Sequence, residues 1–364
     1  MTRLLHEILH RPVLWLLVFV PAVFVAERIA PEAHTLVFVL SILAIVPLAA
    51  LLSRATESVA AKTGDMIGGL LNATLGNLTE LVIAVAALRQ GMFELVKASI
   101  VGAVVTNALF MLGASFLLGG LKYHVQEFRR ETARLQAGLL LLASIALLIP
   151  SALSAVDRVD AAFMHQLSVG LAILLIIAYG LGLLFSLGTH AELFASAQPS
   201  AADDEEPWPI RFAVVALGVI TVLVALVSEI FVDSVQGAAV RLGMTPAFVG
   251  FIVVALVGGA AEMGSAFAAA RKDRLDMSVG IGLGSAAQIT LFVAPVLVLL
   301  SGVIAPSPLD LQFWPGAVLM VMLSTLTVAL VTNSGRSAWY VGVQLLMVYL
   351  VFAMTLYLLP PTTH

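Results

Sequence analysis

The sequence predicts an all-α polytopic membrane protein with about eleven transmembrane helices: one extra N-terminal helix, then two inverted repeats of five. Three observations predict it. Of 364 residues, 61% are hydrophobic and 11% charged, with a mean hydropathy of +1.07. The apolar residues gather in stretches of about 20, the length that crosses a bilayer. The chain also matches itself at an offset of 182 residues, around a pair of glutamates.

A soluble domain is about half apolar and about a quarter charged. At this length a core surrounded by water has no room for so many apolar side chains, so the solvent is lipid. That excludes a soluble enzyme, a nucleic-acid binder and a disordered chain. A net charge of −4 and a pI of about 6.0 give no reason to expect a polyanion partner. The absence of cysteine excludes disulfides, thiolate metal sites and cysteine nucleophiles.

Arg3, His6, His10 and Arg11 precede the first apolar stretch, 13–30. More spans follow it and no small-residue cleavage site is clear, so it reads as a membrane span rather than a signal peptide. Stretches 35–53, 66–88, 94–119, 133–153 and 165–187 follow. Then comes the most polar segment, His190 to Pro209, with Asp203, Asp204, Glu205 and Glu206 between prolines, which reads as a solvated linker. Stretches 209–232, 245–269, 276–301, 312–332 and 338–359 complete the set. The expected units are an N-terminal segment with the first helix (1–33), a five-helix repeat (34–188), an acidic linker (189–208) and a second five-helix repeat (209–364).

Lysines and arginines orient the spans. Thirteen of the 18 fall in loops on the N-terminal side and five on the other. The N-terminus and the linker are therefore expected in the cytoplasm, and the C-terminus outside the cell (inner) membrane.

Residues 76–110 fall on 258–292 without a gap, and nine of the 35 positions are identical. Among them are Gly76/Gly258, Glu80/Glu262, Arg89/Arg271 and Gly102/Gly284. Each unit holds five spans, an odd number, so the two lie upside down relative to each other. Inverted repeats of this kind belong to secondary transporters, with the binding site between them near the bilayer midplane.

Glu80 and Glu262 lie deep inside apolar spans. A charge at that depth costs about 2.5–3.5 kcal/mol on insertion scales and is expected to face a cavity, an ion or a partner. Asn77 shares a helix face with Glu80, three residues away. Gly76 and Gly258 each stand one turn before a glutamate. A small residue there lets helices approach closely, or lets a helix open so that carbonyls reach an ion. Thr106 and Asn107 in one repeat, and Ser285 and Gln288 in the other, bring further polar groups into apolar sequence. Carboxylate, amide, hydroxyl and carbonyl oxygens suit a hard divalent cation such as calcium, and no imidazole or thiolate stands near. A desolvated carboxyl group beside another also attracts protons. Protons and cation then compete for the same oxygens, which is the physical basis of antiport.

These residues resemble the CAX-type calcium/proton antiporters of the calcium/cation antiporter superfamily. Leu71-Asn72-Ala73-Thr74 and Gly76-Asn77-Leu78-Thr79-Glu80-Leu81-Val82-Ile83-Ala84 are similar to the family's first signature. Gly258-Gly259-Ala260-Ala261-Glu262 with Gly284-Ser285-Ala286-Ala287-Gln288-Ile289 resembles the second, and Gly119-Gly120 followed by Gln126 and Phe128 is also similar. The resemblance implies that Glu80 and Glu262 alternately hold calcium and protons. Asn77 and nearby carbonyls would complete the calcium shell, and Thr106, Asn107, Ser285 and Gln288 would line the site and its cavities. The acidic linker would match an acidic segment that sometimes binds a regulatory cation. No cofactor is implied beyond the transported calcium, and the resemblance leaves a homo-oligomer open. Two positions depart from the pattern: Gly259 stands where the family usually has asparagine, and Ala103 where it often has serine. The second half loses an amide oxygen and the first a hydroxyl.

The expected function is calcium export driven by the proton gradient. Its rivals are a sodium-coupled or monovalent-cation/proton exchanger, a cation channel, and an intramembrane metalloprotease resting on His6-Glu7-Ile8-Leu9-His10. Trp15, Trp208, Trp314 and Trp339 are expected at the membrane interface. Pro150 and Pro295 are expected to kink their spans, and Arg89 and Arg271 to anchor span ends.

Overall fold

The computed structural model describes residues 11–153, 160–191 and 206–358. Among these, ten helices are long and apolar enough to cross a membrane, and one bent pair makes an eleventh span. They are α1 (Pro12–Ile29), α2 (His34–Ala60), α3 (Met66–Arg89), α4 (Phe93–Tyr123), α5 (Arg130–Leu153), α6 (Ala161–Thr189), α7 (Ile210–Leu242), α8 (Pro246–Gly258 with Ala260–Arg271), α9 (Leu275–Ile304), α10 (Pro315–Thr332) and α11 (Trp339–Leu358).

Two differences from the expected spans matter. Stretch 245–269 is not one straight helix, because α8 bends by 59° at Gly259. Within α3 the helix is likewise interrupted at Gly76-Asn77, between Asp65–Leu75 and Leu78–Arg89. Glycine costs about 1 kcal/mol against alanine inside a helix, and asparagine competes for the backbone with its side chain. Hydropathy does not register such a break, since the apolar residues continue through it. The helices also outrun their apolar stretches: α2 continues to Ala60, and α7 runs 33 residues before Gly243, in the left-handed region at φ 67°, stops it.

π-helical turns occur at matching places in the repeats, Thr106–Met111 in α4 and Ile289–Val293 in α9. Pro295 follows the second, so the ladder bond that proline removes is lost where the helix is already irregular. Pro150 lies within α5, whose helix continues past it.

Contacts between connections fix the number of crossings by parity. Strand β1 (Val125–Glu127), after α4, pairs antiparallel with β2 (Arg336–Ala338), after α10. Six spans lie between, so both connections share one membrane side. Arg54 Nη2 donates to the Glu206 carbonyl at 3.2 Å across four spans. On the opposite side Lys97 pairs with Asp310 across six spans, and Arg241 Nη2 reaches the Glu32 carbonyl at 3.5 Å across six. Every pair requires an even number of crossings, as eleven successive spans provide. The extra helix is α1, and α2–α6 and α7–α11 run in opposite senses.

The leading helices of the repeats, α2 and α7, lie against each other, with Phe38 stacked on Phe231 at 5.3 Å. Large apolar side chains such as Val240, Val303 and Leu330 point outward, where lipid replaces water. Trp15 and Trp339 share that exposure, but Trp208 is buried against Phe212, and its backbone N–H donates to Ser58 Oγ. Arg89 is more than a span-end anchor: its Nη1 pairs with Glu229 Oε1 of α7 at 2.8 Å.

Candidate functional site

The two helix breaks create the site. Glu80 lies in the first turn of the half-helix that follows the break in α3, and Glu262 in the first turn after the break in α8. Helix N-termini favour negative charge. Glu80 is buried, and so is the Oε2 oxygen of Glu262.

The glycines explain how closely the halves meet. A Cβ at Gly258 would stand 2.8 Å from Glu80 Cγ and 3.3 Å from its Oε1. A Cβ at Gly76 would stand 3.8 Å from Glu262 Oε1 and 3.5 Å from Gln288 Oε1. Each glutamate thus lies over the glycine of the other repeat. A side chain at 258 would push the Glu80 carboxylate out of place, whereas at 76 the tight neighbour is the Asn72 carbonyl oxygen, 2.8 Å from a Cβ.

Polar side chains from both repeats connect beside them. Asn77 Nδ2 donates to Gln288 Oε1 at 2.5 Å, and Ser285 Oγ donates to Asn77 Oδ1 at 2.7 Å. Asn107 Nδ2 donates to Ser285 Oγ at 2.9 Å. This set joins α3, α4 and α9. Thr106 belongs elsewhere: its Oγ1 donates to Tyr349 Oη of α11 at 3.3 Å. Gly259 brings no side chain to the set, and a Cβ there would meet Asn107 Oδ1 at 3.5 Å. Asn107 Oδ1 and Glu262 Oε2 are buried and accept no hydrogen bond among the described residues. Leaving such an acceptor unpaired costs about 1–3 kcal/mol, more for a charged group. Both oxygens can coordinate a cation, and the carboxylate oxygen can also take a proton.

A cavity of about 1500 Å³ reaches this region from one end of the bundle, where Arg54, Arg134, Lys272 and Arg274 ring it. Asn72, Ala73, Ala261 and Gln288 lie on its wall. Toward the other end Glu80, Ser99, Ala103 and Val254 line a pocket of about 10 Å³, and there Gly102 lies against the backbone of Phe251. The site is open to one side of the bundle and shut from the other.

Sequence reasoning did not single out three residues here. Tyr349 holds Thr106 and packs on Phe110. Tyr179 donates to the Ala73 carbonyl, near the α3 break, at 2.7 Å and stacks on Phe292. Gln136 lines the cavity and donates weakly to the Gly280 carbonyl, at 3.4 Å. Each is a polar group within a predicted span, and that was the available signal. His6, Glu7 and His10, and Asp203, Asp204 and Glu205 of the linker, lie outside the described residues. Among the described residues no three His, Cys, Asp or Glu side chains gather as a metal-binding group. An ion here would rely on the glutamate pair with amide, hydroxyl and carbonyl oxygens.

Residues 33–188 and 212–358 match the family model described as sodium/calcium exchanger protein. The chain is 39% identical over 361 residues to a Ca(2+)/H(+) antiporter of Synechocystis, covering 95% of this chain and 96% of that protein. It is 41% identical over 322 residues to Ca(2+)/H(+) antiporter ChaA of Bacillus subtilis, covering 86% of this chain and 90% of that one. The solved structure of native YfkE superposes with a TM-score of 0.83 at 35% identity, covering 96% of this chain and all of that one.

Proposed function

We propose that this chain, which belongs to the sodium/calcium exchanger protein family, exchanges calcium for protons across a membrane by alternating access. It is a secondary transporter, not an enzyme. The observation that carries the mechanism is the crossing of the two glutamates, each seated on the glycine of the other repeat.

In this reading calcium is held by Glu80, Glu262 and Asn77 Oδ1, with Gln288 and carbonyls at the Gly76 and Gly258 breaks in support. Ser285 and Asn107 orient Asn77, and Tyr349 fixes Thr106 beside the π-helical turn of α4. Calcium needs 6–8 oxygens and tolerates irregular geometry. Once it leaves, the two buried carboxylates take protons. Either load neutralises the site, and only a neutral site crosses a low-dielectric barrier cheaply. An empty, doubly charged site is held back, and that restraint couples the two flows.

The membrane is the cell (inner) membrane, with the arginine-ringed mouth of the cavity toward the cytoplasm. The lysine and arginine bias supports this orientation. The structure is then the inward-open state, and the proton gradient drives calcium export. Calcium uptake into vesicles under a pH jump, with a panel of cations, tests the reading. Proton-coupled calcium uptake is expected in the parent chain and its loss in Glu80→Gln and Glu262→Gln. Full uptake in either variant, or uptake that follows a sodium gradient alone, would overturn it.

A further inference from the structure

The repeat offset names contacts that this structure does not contain. At the shut end α8 lies directly on α4. Gly102 abuts the backbone of Phe251, so no Cβ fits there. A Cβ at Gly250 would stand 2.7 Å from Ala98 Cβ and 2.8 Å from the Leu95 carbonyl oxygen. Backbone contact this close needs glycine.

Adding 182 residues carries Leu95, Ala98 and Gly102 onto Met277, Gly280 and Gly284, and subtracting 182 carries Gly250 and Phe251 onto Gly68 and Gly69. All five of these equivalents line the open cavity. There the matching helices, the first half of α3 and the first half of α9, stand apart. Gly68 faces α2 here, where a Cβ would run into the Ala60 carbonyl oxygen, but at two of the other glycines side chains intervene instead. A Cβ at Gly284 would meet only the Gln136 amide nitrogen, at 3.3 Å, and a Cβ at Gly69 would meet the end of Leu187, at 2.6 Å. Both are movable ends of side chains. The present packing therefore gives no reason for glycine at 284, whereas the matching contact at the shut end demands it at 102.

We propose that Gly69 of α3 and Gly280 and Gly284 of α9 are the two faces of an inner gate. The gate closes in the register now seen between α8 and α4, once Gln136 and Leu187 withdraw from between its faces. A bulky residue at 284 would be accommodated in the open state and would forbid the closed one. The proposal rests on the antiport reading only in requiring a second, outward-open state.

The test uses the full chain in vesicles. The parent chain contains no cysteine, so Gly280→Cys places a single reporter thiol on the gate. Its shut-end equivalent, Ala98, is 0% exposed, so the thiol is reactive with the gate open and protected with it closed. Gly284→Leu is expected to lower calcium/proton exchange at least about tenfold while retaining calcium binding, because it removes one of two states. In that background thiol labelling stays fast at every calcium concentration and pH, whereas with Gly284 intact labelling changes at least about threefold as calcium and pH shift the two populations. Leu187→Ala in the reporter background adds no bulk and decides the matter if Gly284→Leu fails to fold. It is expected to slow labelling by about twofold or more, as the closed state gains population. Exchange at the parent rate in Gly284→Leu, or labelling unchanged or faster in Leu187→Ala, would overturn the gate. A parent chain that carries out no exchange would instead overturn the antiport reading.

Discussion

Around Asn77, the side chains of Ser285 and Gln288 close a hydrogen-bonded set. The equivalent place in the other repeat, around Gly259, offers Ala103 and Thr106, and Thr106 bonds outward to Tyr349. The breaks, the glutamates and the glycines beneath them obey the repeat, but the polar shell does not. Inverted symmetry supplies two helix orientations that can exchange roles, and that requirement falls on backbone and charge. Holding one cation needs only enough oxygens around one point, and these can all come from one side. The cation is therefore expected nearer Asn77 than Gly259, and the unpaired Asn107 Oδ1 is what the poorer side retains.

The largest effect should respect the symmetry. Glu80→Gln and Glu262→Gln are each expected to lower exchange at least about a hundredfold, since taking one partner from a buried charged group costs about 3 kcal/mol or more. If only one variant collapses, the carboxylates are not equivalent and the comparison fails at its strongest point. Calorimetric titration of calcium across pH tests the same pair. Protonation removes the negative charge that holds calcium, so apparent affinity should fall as pH falls, by up to about tenfold per unit for each proton displaced. The slope should be shallower in Glu262→Gln, which has one site fewer to protonate. An equal slope would place the coupled proton elsewhere.

Smaller effects should break the symmetry. Ser285→Ala leaves Asn77 Oδ1 and Asn107 Nδ2 without their shared partner, and calcium affinity is expected to drop about tenfold, or about 1.4 kcal/mol. Its mirror change, Ala103→Ser, is expected to stay within about threefold, because no complementary set awaits the hydroxyl. Equal responses would mean that the shell is not one-sided. Gly259→Asn gives the poorer side an amide beside Asn107 Oδ1, and affinity should rise about threefold. That gain should vanish in an Asn107→Ala background, and binding measured over the four combinations isolates the coupling. A gain that survives there would show that the new amide acts without Asn107.

Much of the fold was legible because lipid imposes its constraint one residue at a time. Spans of about 20 apolar residues, a lysine and arginine bias, and a glutamate in register 182 residues from another are linear features of the chain. The candidate site was legible for a related reason: polar groups are costly inside such spans, so each of Glu80, Glu262, Asn77, Asn107, Ser285 and Gln288 stands out. Thr106 stood out equally, and the hydropathy pattern holds nothing to say that its partner is Tyr349, 243 residues away. Trp208 read as an interface aromatic because it is next to a span, yet long-range packing buries it.

Composition and register by themselves determined a lipid-embedded, twofold-repeated helical chain with one glutamate of each half in matching register, because solvation energy and periodicity are additive along the sequence. Which glycine lies beneath which carboxylate, which side holds the amides and which end of the bundle stands open were decided only by the tertiary structure. These depend on where distant backbones cross to within a few ångströms, and a local pattern does not carry that distance.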